Sequence, residues 1–166
     1  MKNVFLLTGG NLGDRAGNLN KAKNAIVDCC GVFVKASSLY ETAAWGPIQQ
    51  PCYLNQVLEI DTQLEPAALL HKLLDIENTM GRTRAERYAA RTIDIDILFY
   101  DKTIMDTTDL ILPHPRLYSR RFVLVPLCEI APDFKHPILG LTIAQMLQKC
   151  NDPLDVKKFI MEDGAD

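Results

Sequence analysis

The chain has no Cys-x-x-Cys pair, no apolar run near the ~18–20 residues of a membrane span, no excess of basic charge and a single tryptophan. Each shortage excludes something. Five cysteines, an odd number without metal-type spacing, offer neither a disulfide framework nor a zinc knuckle. Cys29 and Cys30, adjacent at the end of an expected helix, read as small apolar packing groups. Eighteen basic against 21 acidic residues leave a net charge of −3, which argues against a general nucleic-acid binder. The apolar stretch Val4–Leu7 is too short for a signal peptide and soon meets Asp14 and Arg15. A cytoplasmic protein without membrane attachment is expected. No repeat, linker or low-complexity stretch interrupts the chain. What remains is 166 residues, 48% hydrophobic and 23% charged, the size and composition of one globular domain spanning residues 1–166.

Val4–Thr8 reads as a buried strand ended by Gly9-Gly10. Leu19, Ala22, Ala25, Ile26 and Cys29 then recur at helical spacing, with Gly31 placed as a C-terminal cap. Val32–Tyr40 is β-branched and aromatic enough for a second strand. Thr42–Cys52, with Gly46, Pro47 and Pro51, reads as a loop, and Tyr53–Thr62 as a third strand. Pro66 opens a second helix at its favoured first position, and Gly81 closes it. After a polar connection at Arg82–Arg91, Thr92–Tyr100 is a fourth strand, with a short one near Thr103–Met105. A helix disturbed by Pro126 is expected to begin near Ser119, and a last one follows Thr142 as N-cap. The order β-α-β, β-α-β predicts an α+β, ferredoxin-like sandwich with a helical C-terminal part. A doubly wound parallel sheet would need more alternation.

The fourth strand carries the chemistry. With a two-residue period, Ile93, Ile95, Ile97 and Phe99 share one face, while Asp94 and Asp96 share the other. Their Cα atoms should lie about 6.5–7 Å apart, close enough for both carboxylates to reach one metal ion or a pair. Aspartate is ill suited to strand interiors. Two explanations stand: a solvated outer face, or a Mg²⁺ site completed by water and substrate phosphates.

The arginines decide between them. Seven of eight fall in two windows: Arg82, Arg84, Arg87 and Arg91, then Arg116, Arg120 and Arg121. None of the ten lysines enters either window. Solubilising charge uses the two types interchangeably, whereas the guanidinium fork suits bidentate phosphate recognition. A cationic loop beside a two-carboxylate strand is what metal-assisted polyphosphate transfer needs. Both windows flank glycine- or proline-containing loops, so they are expected to close over a nucleotide and exclude water.

Other signals are weaker. His114 sits between Pro113 and Pro115, which present its imidazole in a fixed place beside the second arginine window. A phosphate donor and a structural histidine are equally open readings. His71 and His136 lack such company and read as surface residues. Gly9-Gly10-Asn11-Leu12-Gly13 lies between strand and helix but has no dinucleotide-loop or P-loop spacing, so it reads as a tight structural turn. Tyr53 and Asn55 point to one strand face, offering a ring for stacking and an amide for a heterocycle's edge.

The segment Arg87-Tyr88-Ala89-Ala90-Arg91-Thr92-Ile93-Asp94-Ile95-Asp96-Ile97-Leu98 resembles the signature of the 6-hydroxymethyl-7,8-dihydropterin pyrophosphokinases of folate biosynthesis. Gly46-Pro47, Tyr53-Leu54-Asn55, Gly81-Arg82, Pro113-His114-Pro115-Arg116 and Glu129-Ile130-Ala131-Pro132 recur in the family's order. The likeness covers about residues 3–147. It implies a ferredoxin-like fold and transfer of pyrophosphate from ATP, as co-substrate, to the dihydropterin's hydroxymethyl group, releasing AMP. It further implies that Asp94 and Asp96 hold two Mg²⁺ ions and that Arg82, Arg91 and Arg120 neutralise charge on the transferred group. Leu70, Glu77, Arg84, Ile97 and His114 would line the ATP site. The pterin would stack between Tyr53 and Phe122, its edge read by Asn55 and the Thr42, Ala43 and Ala44 backbone, with Asp94 beside it and Trp45 closing over. A monomer is expected. Ala89-Ala90 stands where Gly-Pro is usual, Tyr88 where tryptophan is frequent, Gly10 for serine and Ala44-Trp45 for a Pro-Leu-like pair; no metal ligand or phosphate-binding arginine is lost.

Two rivals belong to other classes. A non-catalytic ferredoxin-like nucleotide- or RNA-binding module would present aromatics and few acids on its sheet face, and this strand carries two aspartates. A two-metal hydrolase would use the same carboxylates on water.

Overall fold

The computed structural model describes residues 1–44, 46–47, 49–81 and 92–160. Its elements follow the expected order: β1 (Lys2–Gly10), α1 (Arg15–Cys29), β2 (Val32–Ala36), β3 (Tyr40–Thr42), β4 (Tyr53–Thr62), α2 (Pro66–Thr79) and β5 (Asp94–Tyr100). A small hairpin of β6 (Met105–Asp106) and β7 (Ile111–Leu112) comes next, then a 3-10 turn at Leu117–Ser119, α3 (Arg121–Ile130), α4 (Ile143–Lys149) and β8 (Val156–Lys158). The main sheet runs β5-β1-β4-β3-β8, β2 also pairs with β4, and every ladder is antiparallel. The two β-α-β units thus interleave, each giving one central and one outer strand, which is the ferredoxin-like sandwich.

The sheet has a core on each face. Leu19, Ala22 and Ile26 of α1 and Leu69, Leu73 and Ile76 of α2 pack with Val4, Leu6, Leu54, Leu58 and Ile60. On the other face Val123, Leu124 and Leu127 of α3 and Ile143 and Met146 of α4 pack with Phe5, Leu7 and Val57. Burying each large apolar side chain contributes about 1.5–3 kcal/mol, so both helical layers are held mainly by these stripes. The Thr142 hydroxyl caps α4 by accepting from Gln145 N, as expected, and Gln145 returns the bond in a capping box.

Several expectations need correction. The strand over Val32–Tyr40 is two strands. Val57 N donates to Ser37 Oγ at 2.9 Å, so a side chain takes a ladder position and the register slips between β2 and β3. Phe99 does not share a face with Ile93, Ile95 and Ile97. The β1–β5 register shifts between Phe5 and Leu6, so Leu98 and Phe99 both enter the α3–α4 core; such a bulge puts two successive side chains on one face. Gly31 does not cap α1, where Cys30 holds that position; a Cβ on Gly31 would lie 2.3 Å from the Asp61 carbonyl, so close backbone approach requires glycine.

Of the adjacent thiols only Cys30 is buried, while Cys29 is exposed. His136 is 5% exposed, not a surface residue; its Nδ1 accepts from the Ile138 and Leu139 amides and its ring meets Phe99 edge-on. His71 is exposed. The short strand expected at Thr103–Met105 is half of the β6–β7 hairpin, and the helix expected from Ser119 begins at Arg121 and continues through Pro126. β8, which pairs with β3, has no counterpart in the sequence reading.

Candidate active site

On the α3–α4 face of the sheet, the start of β5 and the facing ends of β1, β4 and β3 carry several of the predicted polar residues. Asp94 stands opposite Gly9 on β1, Gly9 opposite Asn55 on β4, and Asn55 opposite Tyr40 on β3. Strand spacing places Asp94 and Asn55 about 10 Å apart on either side of Gly9. A Cβ on Gly9 would come within 2.3 Å of Asn55 Oδ1, so this glycine makes room for the amide. Asn55 is buried and its Nδ2 donates to Thr42 Oγ1 at 3.4 Å. Thr42 faces Tyr53 in the ladder. Asp94 is half-buried and Asp96 exposed on the same strand face.

Phe122 lies in the first turn of α3, half-buried against the core on this face, with the Arg120 guanidinium 5.8 Å from its ring centre. Two contacts fix α3 over the sheet. Glu129 accepts from the Ser38 amide and hydroxyl at 2.7 Å and from the Tyr40 hydroxyl at 3.1 Å. Burial opposes the Glu129 charge, yet these donors hold its carboxyl below the usual range, while burial and Glu129 push the Tyr40 hydroxyl up to about 12. At the helix start, Arg121 N donates to Asp152 at 3.0 Å.

Leu70, Glu77 and Ile97 collect toward α2. Glu77, 2% exposed, accepts from Ile95 N at 2.6 Å, while Leu70 and Ile97 join the α1–α2 core. His114 N donates to the Leu98 carbonyl at 2.9 Å, so both bonds secure β5. Ala43 is exposed and Ala44 half-buried at the end of β3. Arg82, Arg84, Arg87, Arg91 and Trp45 lie outside the described residues, as does any closure of the first arginine window.

Burial, then the nearby Arg120 and Arg116 charges, lower the His114 pKa to about 4. The unfolded chain takes up this proton near 6.5. Between those values the unfolded state binds more protons, so stability falls as pH drops from 6.5 to 4, by roughly 2–3 kcal/mol from this residue. Denaturant titrations of wild type and His114→Gln across this range should show a shallower loss in the variant. His136, also lowered by burial, remains in both and cancels. Equal slopes would show that His114 stays accessible to protons.

Two residues were missed by sequence reasoning. Asn11, 2% exposed, donates to Gln50 Oε1 and the Pro51 carbonyl, both at 2.9 Å. Arg15 donates to the Cys52 carbonyl at 2.9 Å and pairs with Glu41 at 2.6 Å. Both anchor residues leading into Tyr53. The available signal was the glycine turn itself, read as merely structural, which delivers Asn11 and Arg15 to this end of the sheet.

Among the described residues no group of three or more histidine, cysteine, aspartate or glutamate side chains could hold a metal ion. The Asp94–Asp96 pair nevertheless fits Mg²⁺, which is often held by one or two carboxylates plus water and phosphate oxygens. Among the described residues no helix is long and apolar enough to cross a membrane.

The profile of the 7,8-dihydro-6-hydroxymethylpterin-pyrophosphokinase (HPPK) family matches residues 5–132. The chain belongs to this family. Proteins named 2-amino-4-hydroxy-6-hydroxymethyldihydropteridine pyrophosphokinase share 44% identity over 132 residues in Bacillus subtilis, covering 78% of this chain and 79% of that one. In Methylorubrum extorquens the figures are 40% over 159 residues, 95% and 99%; in Synechocystis they are 41% over 142 residues, 85% and 72%. The Plasmodium falciparum HPPK-DHPS structure with pteroate superposes with a TM-score of 0.72 at 15% identity, over 89% of this chain and 44% of that one. At that identity the likeness concerns the HPPK fold alone, and this chain spans less than half of the longer one.

Proposed function

We propose that this HPPK family member transfers pyrophosphate from ATP to 6-hydroxymethyl-7,8-dihydropterin, releasing AMP, in folate biosynthesis. The observation that carries this reading is the row Asp94–Gly9–Asn55: an acidic strand and a buried amide share one sheet face across a side-chain gap. An amide reads a heterocycle's edge with donor and acceptor together, and Tyr53 and Phe122 supply the stacking surfaces. The Thr42, Ala43 and Ala44 backbone and Trp45 complete the pterin side.

The hydroxymethyl oxygen forms a bond to the β-phosphorus of ATP, the bond between the α,β-bridging oxygen and the β-phosphorus breaks, AMP leaves with that oxygen, and the hydroxyl proton passes to solvent. Asp94 and Asp96 hold two Mg²⁺ ions, which supply charge neutralisation along the triphosphate. Arg82, Arg91 and Arg120 bind the transferred group by charge-assisted hydrogen bonds, and Arg84 and His114 orient the remaining phosphates. His114 Nδ1 accepts from the Arg116 amide at 3.3 Å, which leaves Nε2–H of the neutral ring as the donor to a phosphate oxygen. Leu70, Glu77 and Ile97 line the nucleotide side near β5. Positioning and electrostatics then suffice, because such transfers ask little covalent chemistry of the protein. Residues 1–166 form one pyrophosphokinase domain that acts as a cytoplasmic monomer with no nucleic-acid partner.

Product analysis tests the reading. With ATP, Mg²⁺ and the dihydropterin, AMP and pterin pyrophosphate should appear in equal amounts. ADP instead would make the protein a simple kinase on the same scaffold. No pterin-dependent turnover would overturn the assignment.

A further inference from the structure

Arg15 is the one arginine outside the two windows. It opens α1, on the sheet face opposite Asn55 and Tyr53. Its Nη1 donates to the Cys52 carbonyl at 2.9 Å and lies 2.6 Å from Glu41 Oε2, and its guanidinium carbon sits 5.4 Å from the centre of the Phe159 ring. The three partners come from separate segments: the residue before β4, the middle of β3 and the residue after β8. Cys52 immediately precedes Tyr53, Glu41 immediately precedes Thr42, and Tyr53 and Thr42 are directly opposed in the ladder. One side chain therefore grips the backbone or side chain next to each of two pterin-side residues.

Glu41, Thr42, Ala43 and Cys52 line a cleft of about 560 Å³ together with Asp152, Leu154 and Lys157, beside the ladder that pairs Glu41 with Lys157 and Thr42 with Val156. The guanidinium suits the task, since its planar fork presents several donors in fixed directions and its face stacks on an aromatic ring, while an ammonium offers a single flexible point.

We propose that Arg15 is a positioning residue for the pterin half of the site, locking the Thr42–Tyr53 pair and coupling it to the C-terminal strand β8 through Phe159. This rests on the reading under Proposed function. The test compares R15Q, R15K and F159A in the full chain, measuring KM for the dihydropterin, KM for ATP, kcat and thermal midpoint. R15Q should raise the pterin KM about tenfold, the scale of a lost charge-assisted bond, while ATP KM and kcat stay within about twofold. R15K should recover only part of the loss, and F159A should raise the pterin KM about two- to threefold. An unchanged pterin KM in R15Q would overturn the proposal. So would equal rises in both KM values with a lowered thermal midpoint, which would reduce Arg15 to a support of the fold. Hydrogen exchange at the Thr42 and Leu54 amides separates this proposal from the functional reading. If the wild type turns over no pterin, that reading falls, and the clamp stands only if those amides exchange at least about tenfold faster in R15Q.

Discussion

Asp94→Asn should lower kcat for AMP formation by about 10³-fold, or ~4 kcal/mol of transition-state stabilisation. The substitution keeps the side chain's shape and removes its charge. Asp94 is half-buried at the start of β5, and the isosteric amide leaves the strand's apolar contacts with β1 intact. Thermal melting should therefore shift by no more than a few degrees, which separates lost chemistry from lost structure. Asp96→Asn, on the same face and more exposed, should also lose activity, because a Mg²⁺ held by so few protein ligands has little redundancy. A rapid-quench assay at saturating ATP and pterin is the measurement. Turnover within tenfold of wild type in both variants would mean that the carboxylates only solvate the strand, the bland alternative left open by its spacing.

Phe99→Ala should destabilise the protein by about 3–5 kcal/mol. Phe99 is 1% exposed and its ring meets Phe5, Phe134 and His136 at centroid distances of 6.3, 4.7 and 5.6 Å. The lost contacts are therefore aromatic as well as aliphatic. For a chain of this length the melting temperature should fall by roughly 10 °C or more. The experiment also tests the bulge, since the affected partners come from the α3–α4 side. A loss below about 1 kcal/mol would show that Phe99 does not sit in that core. Activity at low temperature should largely persist, because the Asp94–Gly9–Asn55 row lies at the far end of the same strands.

Much of the candidate site was legible because it depends on local periodicity. A strand's two-residue alternation alone puts Asp94 with Asp96, and Tyr53 with Asn55. Clustering of arginine and exclusion of lysine are likewise visible without coordinates. The resemblance to the HPPK family supplied the substrate, which no spacing encodes.

Local pattern in the sequence set the order β1, α1, β4, α2 and β5, the buried face of α1, the shared face of Tyr53 and Asn55 on β4, and the pairing of carboxylates on β5, since each depends on neighbours within a few residues. The rest depends on contacts across the sheet and between its two cores. The bulge that turns Phe99 to the other core arises from how β5 meets β1, not from its own alternation. Ser37 divides one expected strand because its hydroxyl faces Val57, twenty residues away. His136 is buried because Phe99 lies beside it. Gly9 matters because Asn55 leans across it, and Arg15 because Glu41, Cys52 and Phe159 converge on it. These are contacts between residues distant in the chain, and a local pattern carries no record of which distant groups will meet.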